Sequence, residues 1–138
     1  MRILRAVPAA LIGLVLLLAA CSSTASPSGT TITAKLTDYK IEMSATSAPA
    51  GSVTFNVTNA GPIIHEFVVL KTDTLAKDLP VKDAKVSEAD FTKIGEVPET
   101  DPGKSGTFTA TLTAGHYAII CNIVGHVTLG MVSDFTVN

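Results

Sequence analysis

Most of the chain after residue 30 alternates apolar and polar residues with a period of two. The pattern is clearest in residues 32–37, 53–58 and 107–112, where apolar side chains alternate mainly with threonine. An amphipathic helix would repeat every 3.6 residues, whereas a strand with one buried face repeats every two. The alternation therefore predicts half-buried antiparallel strands and constrains the fold more than any other feature of the chain.

Turn signals separate these runs. Proline, glycine and asparagine cluster at Pro49-Ala50-Gly51, at residues 59–62, at Pro102-Gly103 and at Ala114-Gly115. Further strands are predicted over residues 65–70, 117–121 and 131–137. About seven to eight short strands with this spacing predict an all-β fold, a Greek-key β-sandwich or barrel.

One long segment, residues 71–104, breaks the pattern because it is charged and contains proline. Within it, Ser87-Glu88-Ala89-Asp90 is typical of a helix N-terminus, with a capping residue and early acidic residues. We therefore expect one short helix inside a long crossover between strands.

The N-terminus has the composition of an export signal. Arg2 and Arg5 precede an apolar run over residues 9–20, and small residues then lead to Cys21. We interpret residues 1–20 as a signal peptide. The sequence Leu18-Ala19-Ala20-Cys21 resembles a bacterial lipobox, which implies lipidation of Cys21; an ordinary signal peptide with an incidental cysteine is the alternative.

The export signal also predicts domain organisation and location. Residues 21–29 have the small, polar composition of a flexible tether, and residues 30–138 suit one folded domain. We expect an exported lipoprotein at the outer face of the cell membrane or in the periplasm. Both arginines lie in the predicted signal peptide, so the rest of the chain has eight lysines and twelve acidic residues. The domain therefore lacks the basic charge of a nucleic-acid-binding protein.

A thiol, an imidazole and a thioether recur at five-residue steps in Cys121, His126 and Met131, and His65 lies upstream in an apolar segment. One unpaired cysteine in an exported domain is a liability unless something occupies it. Two histidines, a cysteine and a weak methionine are the donors of a mononuclear blue-copper site, in which soft thiolate and imidazole suit both oxidation states. We therefore predict that these four residues bind one copper ion.

With these residues in view, the chain resembles the cupredoxins, the small type 1 copper proteins. The matching stretches are Asn59-Ala60-Gly61, residues 65–69, residues 114–117 and Cys121-x4-His126-x4-Met131. The resemblance covers residues 30–138, and the ligand spacing looks like the rusticyanin and sulfocyanin branch. It implies a single-electron carrier that serves redox partner proteins, acts as a monomer and is not an enzyme.

Some assignments stay open at this stage. Copper delivery or homeostasis is the alternative to electron transfer. Glu66 stands where many cupredoxins have asparagine or serine; it could hydrogen-bond the ligand loop or point into solvent. His116 is expected at the surface because its odd offset from Cys121 turns it away from the site. Tyr117 and Met43 are expected in the core.

Overall fold

The computed structural model describes residues 29–138, which form two β-sheets packed face to face and a separate two-stranded hairpin. The predicted signal peptide, the lipidation at Cys21 and nearly all of the tether lie outside the described residues. Within residues 29–138, no helix has the length and apolarity needed to cross a membrane.

Eleven strands make up the described part of the chain. They are β1 (Thr30–Thr37), β2 (Lys40–Met43), β3 (Ser47–Ala48), β4 (Gly51–Asn59), β5 (His65–Lys71), β6 (Val81–Lys82), β7 (Lys85–Val86), β8 (Thr92–Thr100), β9 (Ser105–Leu112), β10 (Gly115–Ile120) and β11 (Val132–Val137). The predicted all-β sandwich is confirmed. The number of strands exceeds the predicted seven to eight because three of them, β3, β6 and β7, have only two residues each.

The first sheet has the order β2-β1-β4-β9 and the second has the order β3-β11-β10-β5-β8. The pairs β1–β4 and β3–β11 are parallel, and the other pairs are antiparallel. The alternating runs of β1, β4 and β9 turn their apolar residues inward, where Phe55 packs against Phe67, Phe108 and Phe135. The threonines between them face outward, as the alternation predicts.

Strands β5 and β10 are buried on both faces, which explains their continuous apolar sequences. Phe67 and Val69 belong to the core between the sheets. Val68 and Leu70 point the other way, into a second cluster with Leu79 and other residues of the crossover. The crossover between β5 and β8 therefore covers the outer face of the second sheet.

The predicted short helix in this crossover is reduced to two single 3-10 turns, Ala76–Asp78 and Glu88–Asp90. Ser87 precedes the second turn but makes no side-chain capping hydrogen bond. The segment enters β8 two residues after the turn, so it is too short to offset the cost of nucleating an α-helix. The segment predicted as a crossover, residues 71–104, also contains strands that sequence analysis did not predict, namely the β6–β7 hairpin and the nine-residue β8.

Candidate metal centre

His65 and Cys121 meet because β5 and β10 are antiparallel neighbours. β5 begins at His65, β10 ends at Ile120, and Ile120 pairs with Val68. The start of one strand and the end of the other therefore share one edge of the second sheet. His65 is in phase with Phe67, and Cys121 is in phase with Ile119, so both side chains face the core.

The loop from Cys121 to Met131 brings the other two predicted ligands back to this edge. The Met131 N–H donates to the His126 carbonyl at 3.0 Å, and the Cys121 N–H donates to the Met131 carbonyl at 3.1 Å. Gly125 and Gly130 have φ angles of 89° and 95°, a region that favours glycine. The two glycines therefore allow the chain to reverse direction directly before His126 and Met131.

Three donor atoms converge at this edge. The Cys121 Sγ lies 3.2 Å from the His126 Nδ1 and 3.9 Å from the His65 Nδ1, and the two Nδ1 atoms are 3.3 Å apart. The point equidistant from all three lies about 2 Å from each, which is the length of a metal–ligand bond. All three residues are buried. The donor triangle therefore has the size that a single transition-metal ion requires.

Met131 lies beside this triangle. Its side chain is fully buried and belongs to the same core cluster as Cys121. The backbone hydrogen bonds to Cys121 and His126 hold it at the closing end of the loop. This placement is compatible with the weak axial thioether predicted from the sequence.

Burial keeps the donors uncharged in the metal-free protein. Desolvation lowers the pKa of His65 and of His126, and the proximity of His65 lowers the pKa of His126 further. Desolvation also raises the pKa of the Cys121 thiol, against the opposing effect of nearby backbone N–H groups. At neutral pH both imidazoles are therefore neutral and ready to bind, whereas the thiol must release its proton to a metal.

Solved structures share this architecture. Auracyanin from the photosynthetic bacterium Roseiflexus castenholzii is 23% identical with a TM-score of 0.62, over 79% of this chain and 97% of that one. Auracyanin A, a "blue" copper protein from Chloroflexus aurantiacus, is 22% identical with a TM-score of 0.56, over 80% and 99%. Rusticyanin from Thiobacillus ferrooxidans is 23% identical with a TM-score of 0.56, over 82% and 79%.

The chain has the cupredoxin fold. No protein-family model matches the sequence, and no curated protein matches it either. The likeness is thus carried by structure more than by sequence. It places the donor triangle at one end of a cupredoxin sandwich, where β5, β10 and the 121–131 loop meet.

Glu66 contributes to the metal centre of this cupredoxin fold through its backbone. Its N–H donates to the Cys121 Sγ at 3.3 Å. Its side chain is half-buried rather than pointing freely into solvent. Burial raises the pKa of the Glu66 carboxyl, the neighbouring Glu88 raises it further, and the Asn122 N–H acts in the opposite direction. Of the two alternatives, contact with the ligand loop is the one that the structure favours.

Asn59 shapes the loop that leads into His65. Its fully buried side chain donates to the carbonyls of Ile63 and Thr100, both at 2.7 Å, and accepts the Gly61 N–H at 2.9 Å. Sequence analysis identified the Asn59-Ala60-Gly61 stretch by resemblance but gave Asn59 no role. A buried amide that satisfies three backbone groups fixes the approach to His65.

Asn122 ties the ligand loop to the β6–β7 hairpin. Its side chain accepts the Val86 N–H at 2.8 Å and donates to the Val86 carbonyl at 2.9 Å and to Glu88 at 2.9 Å. The Gly125 N–H donates to the Ala84 carbonyl at 3.0 Å, at the tip of the same hairpin. The hairpin therefore braces the segment that carries Cys121 and His126, a role that no local sequence signal indicated.

The structure also places the remaining residues that the sequence singled out. Tyr117 is buried as predicted, and its hydroxyl donates to the Thr113 carbonyl. Met43 is partly buried against the core. His116 is half-buried rather than fully at the surface. Its Nδ1 bonds the Thr72 carbonyl at 2.6 Å and its Nε2 bonds Asp134 at 2.9 Å, which ties the crossover to the second sheet.

Proposed function

We propose that this protein is a type 1 copper protein that carries single electrons between redox partners outside the cytoplasm. The observation that carries the proposal is the buried triangle of the Cys121 Sγ and the two Nδ1 atoms of His65 and His126. One thiolate and two imidazoles with a weak thioether form the donor set of a blue-copper site. A copper ion held there supplies one-electron chemistry by alternating between its cupric and cuprous states.

The protein's own residues suit a carrier better than an enzyme. Each of the three donors is buried in the protein interior. The Glu66 N–H on the Cys121 Sγ favours the thiolate in place of the thiol. His126 is the most exposed of the three donors, at 7%, which supports an electron route to a partner through this residue.

The surface beside His126 supports docking of a protein partner. Apolar side chains are exposed on both segments that flank the ligands, Ile63 and Ile64 before His65, and Val124 and Leu129 around His126. Exposed apolar side chains that lie close together are typical of surfaces that contact other proteins. The export signal supports a location outside the cytoplasm, with a lipid on Cys21 as the anchor.

The test uses the soluble domain without its first 21 residues, titrated with cupric ion. We expect stoichiometric binding of one ion, an intense blue absorption from thiolate-to-copper charge transfer, and reversible bleaching by one electron equivalent. A protein that stays colourless contradicts the proposal.

A second measurement separates electron transfer from copper delivery. Fast electron self-exchange in a mixture of oxidised and reduced protein, measured by NMR line broadening, supports the carrier. Rapid loss of copper to a chelator, with slow self-exchange, would instead support the delivery role. Lipidation is tested separately, by mass spectrometry of the protein from membranes and of its Cys21→Ser variant.

A further inference from the structure

One turn of the chain contacts both histidines of the donor triangle. The turn between β1 and β2 contains Asp38 and Tyr39. The Asp38 Oδ1 lies 3.6 Å from the His65 Nε2, and the Tyr39 ring meets the His126 ring edge-on, with centroids 5.6 Å apart. This turn lies in the first sheet, whereas His65 and Cys121 belong to the second sheet. It therefore reaches the site from across the sandwich.

The His65 imidazole is oriented with one nitrogen toward each neighbour. Its Nδ1 faces the other donors, and its Nε2 faces Asp38. Among the described residues, this Nε2 is a fully buried polar atom without a hydrogen-bond partner. A buried N–H without a partner is costly, and a nearby carboxylate reduces that cost electrostatically. Asp38 is the acidic group that lies within 4 Å of it.

The approach of Asp38 to His65 depends on a glycine between them. A Cβ built on Gly61 would lie 3.0 Å from the Asp38 Oδ1 and 3.0 Å from the His65 Nε2. Any larger residue at position 61 would therefore crowd both groups. The Asn59 side chain holds Gly61 in this place by accepting its N–H.

Tyr39 has a φ angle of 60°, which is uncommon for a residue other than glycine. Such a conformation costs free energy and persists where the surroundings demand it, often at functional sites. Here it puts the Tyr39 ring against His126 and leaves the preceding Asp38 beside His65. The strained turn therefore contacts both His65 and His126.

We propose that Asp38 is a positioning residue for the metal centre, which selects the His65 tautomer protonated on Nε2 and thereby leaves the Nδ1 lone pair facing Cys121 and His126. A carboxylate behind a metal-binding histidine fixes its tautomer and raises its basicity. The negative charge also stabilises a cupric ion more than a cuprous ion. This inference rests on the proposed copper function.

The potential of the copper-loaded protein tests the charge of Asp38. Asp38→Asn keeps the shape of the side chain and removes its charge, so we expect the midpoint potential to rise. A roughly tenfold loss of cupric relative to cuprous affinity, the lower end of the usual effect of such a partner, corresponds to about 59 mV for one electron. Asp38→Glu should restore most of the original potential.

Asp134→Asn is the matched control. Its carboxylate is also 45% exposed and also lies beside a histidine, at 2.9 Å from the His116 Nε2, but it has no contact with the donor triangle. This variant should change the potential little. If Asp38→Asn and Asp134→Asn give the same potential as the unmodified protein, the proposed role of Asp38 is wrong.

The tautomer is measured without copper. Long-range nitrogen–proton NMR spectra of the metal-free protein should show His65 protonated on Nε2, and Asp38→Ala should increase the Nδ1-protonated form. A wild-type His65 protonated on Nδ1, or an unchanged tautomer in Asp38→Ala, would overturn the proposal. A wild-type protein that binds no copper would instead refute the proposed function. The NMR measurement would still test whether Asp38 sets the tautomer of His65.

Discussion

The Asn122 side chain offers the clearest way to measure how firmly the ligand loop is held. In Asn122→Ala the Val86 N–H and carbonyl lose their hydrogen-bond partners, which lie at 2.8 and 2.9 Å, and Glu88 loses a third contact. Val86 is buried, so both backbone groups lose a partner without gaining easy access to water. At about 1–2 kcal/mol for each such group, we expect a loss of roughly 2–4 kcal/mol in the free energy of unfolding.

Urea unfolding of the metal-free domain measures this loss, and the melting temperature should fall by roughly 10 °C. Asn56→Ala is the matched control because Asn56 is exposed and accepts one hydrogen bond, from the Thr107 hydroxyl. Its expected effect is within about 0.5 kcal/mol. Equal losses in Asn122→Ala and Asn56→Ala would refute the conclusion that the β6–β7 hairpin braces the ligand loop.

Three further predictions concern Cys121, the two histidines of the donor triangle and Gly95. Cys121→Ser should abolish the blue colour while the metal-free domain still folds, as judged by circular dichroism; a coloured variant would exclude Cys121 as the thiolate ligand. The metal-free protein should lose stability as the pH falls below about 6.5. Burial lowers the pKa of His65 and of His126 in the folded state, so the unfolded chain binds protons at a higher pH than the folded protein does. Urea unfolding on either side of that pH measures the change, and a constant free energy of unfolding would contradict the prediction. Gly95→Ala should lower the free energy of unfolding by about 1–3 kcal/mol, since its Cβ would lie within 2.5 Å of the Phe108 ring. A thermal melt that matches the wild type would show that the Phe108 ring moves aside without loss of stability.

The strands with clear alternation and the candidate donors were predictable because each has a local signal, whereas β6, β7 and β8 in residues 71–104 were not predicted. Alternation in residues 32–37 and 53–58 reports one buried face, and the structure buries those residues as expected. The Cys121-x4-His126-x4-Met131 spacing carries three donors within eleven residues. His65 is distant in sequence, yet it precedes an apolar strand, and the pairing of β5 with β10 brings it to Cys121.

The supporting residues were not predictable because their partners are distant in sequence. Asp38 acts across 27 positions on His65, and Asn122 bonds Val86 across 36. Nothing adjacent to either residue indicates its partner. The strained φ of Tyr39 also has no sequence signal, since tyrosine is not a residue that usually adopts it. The expected helix at Ser87 failed for the opposite reason: a correct local signal lacked the length to form one.

The hydrogen bonds around the donors support the proposed electron carrier over copper delivery. The Glu66 N–H donates to the Cys121 Sγ, and the Met131 backbone is hydrogen-bonded to both Cys121 and His126. Donors held in this way need little movement when the charge of an ion changes. Any movement of the loop that opened the site would have to break these bonds and the bond from the Gly125 N–H to the Ala84 carbonyl. A site built so that its ligands stay in place favours an ion that stays in place and changes only its oxidation state.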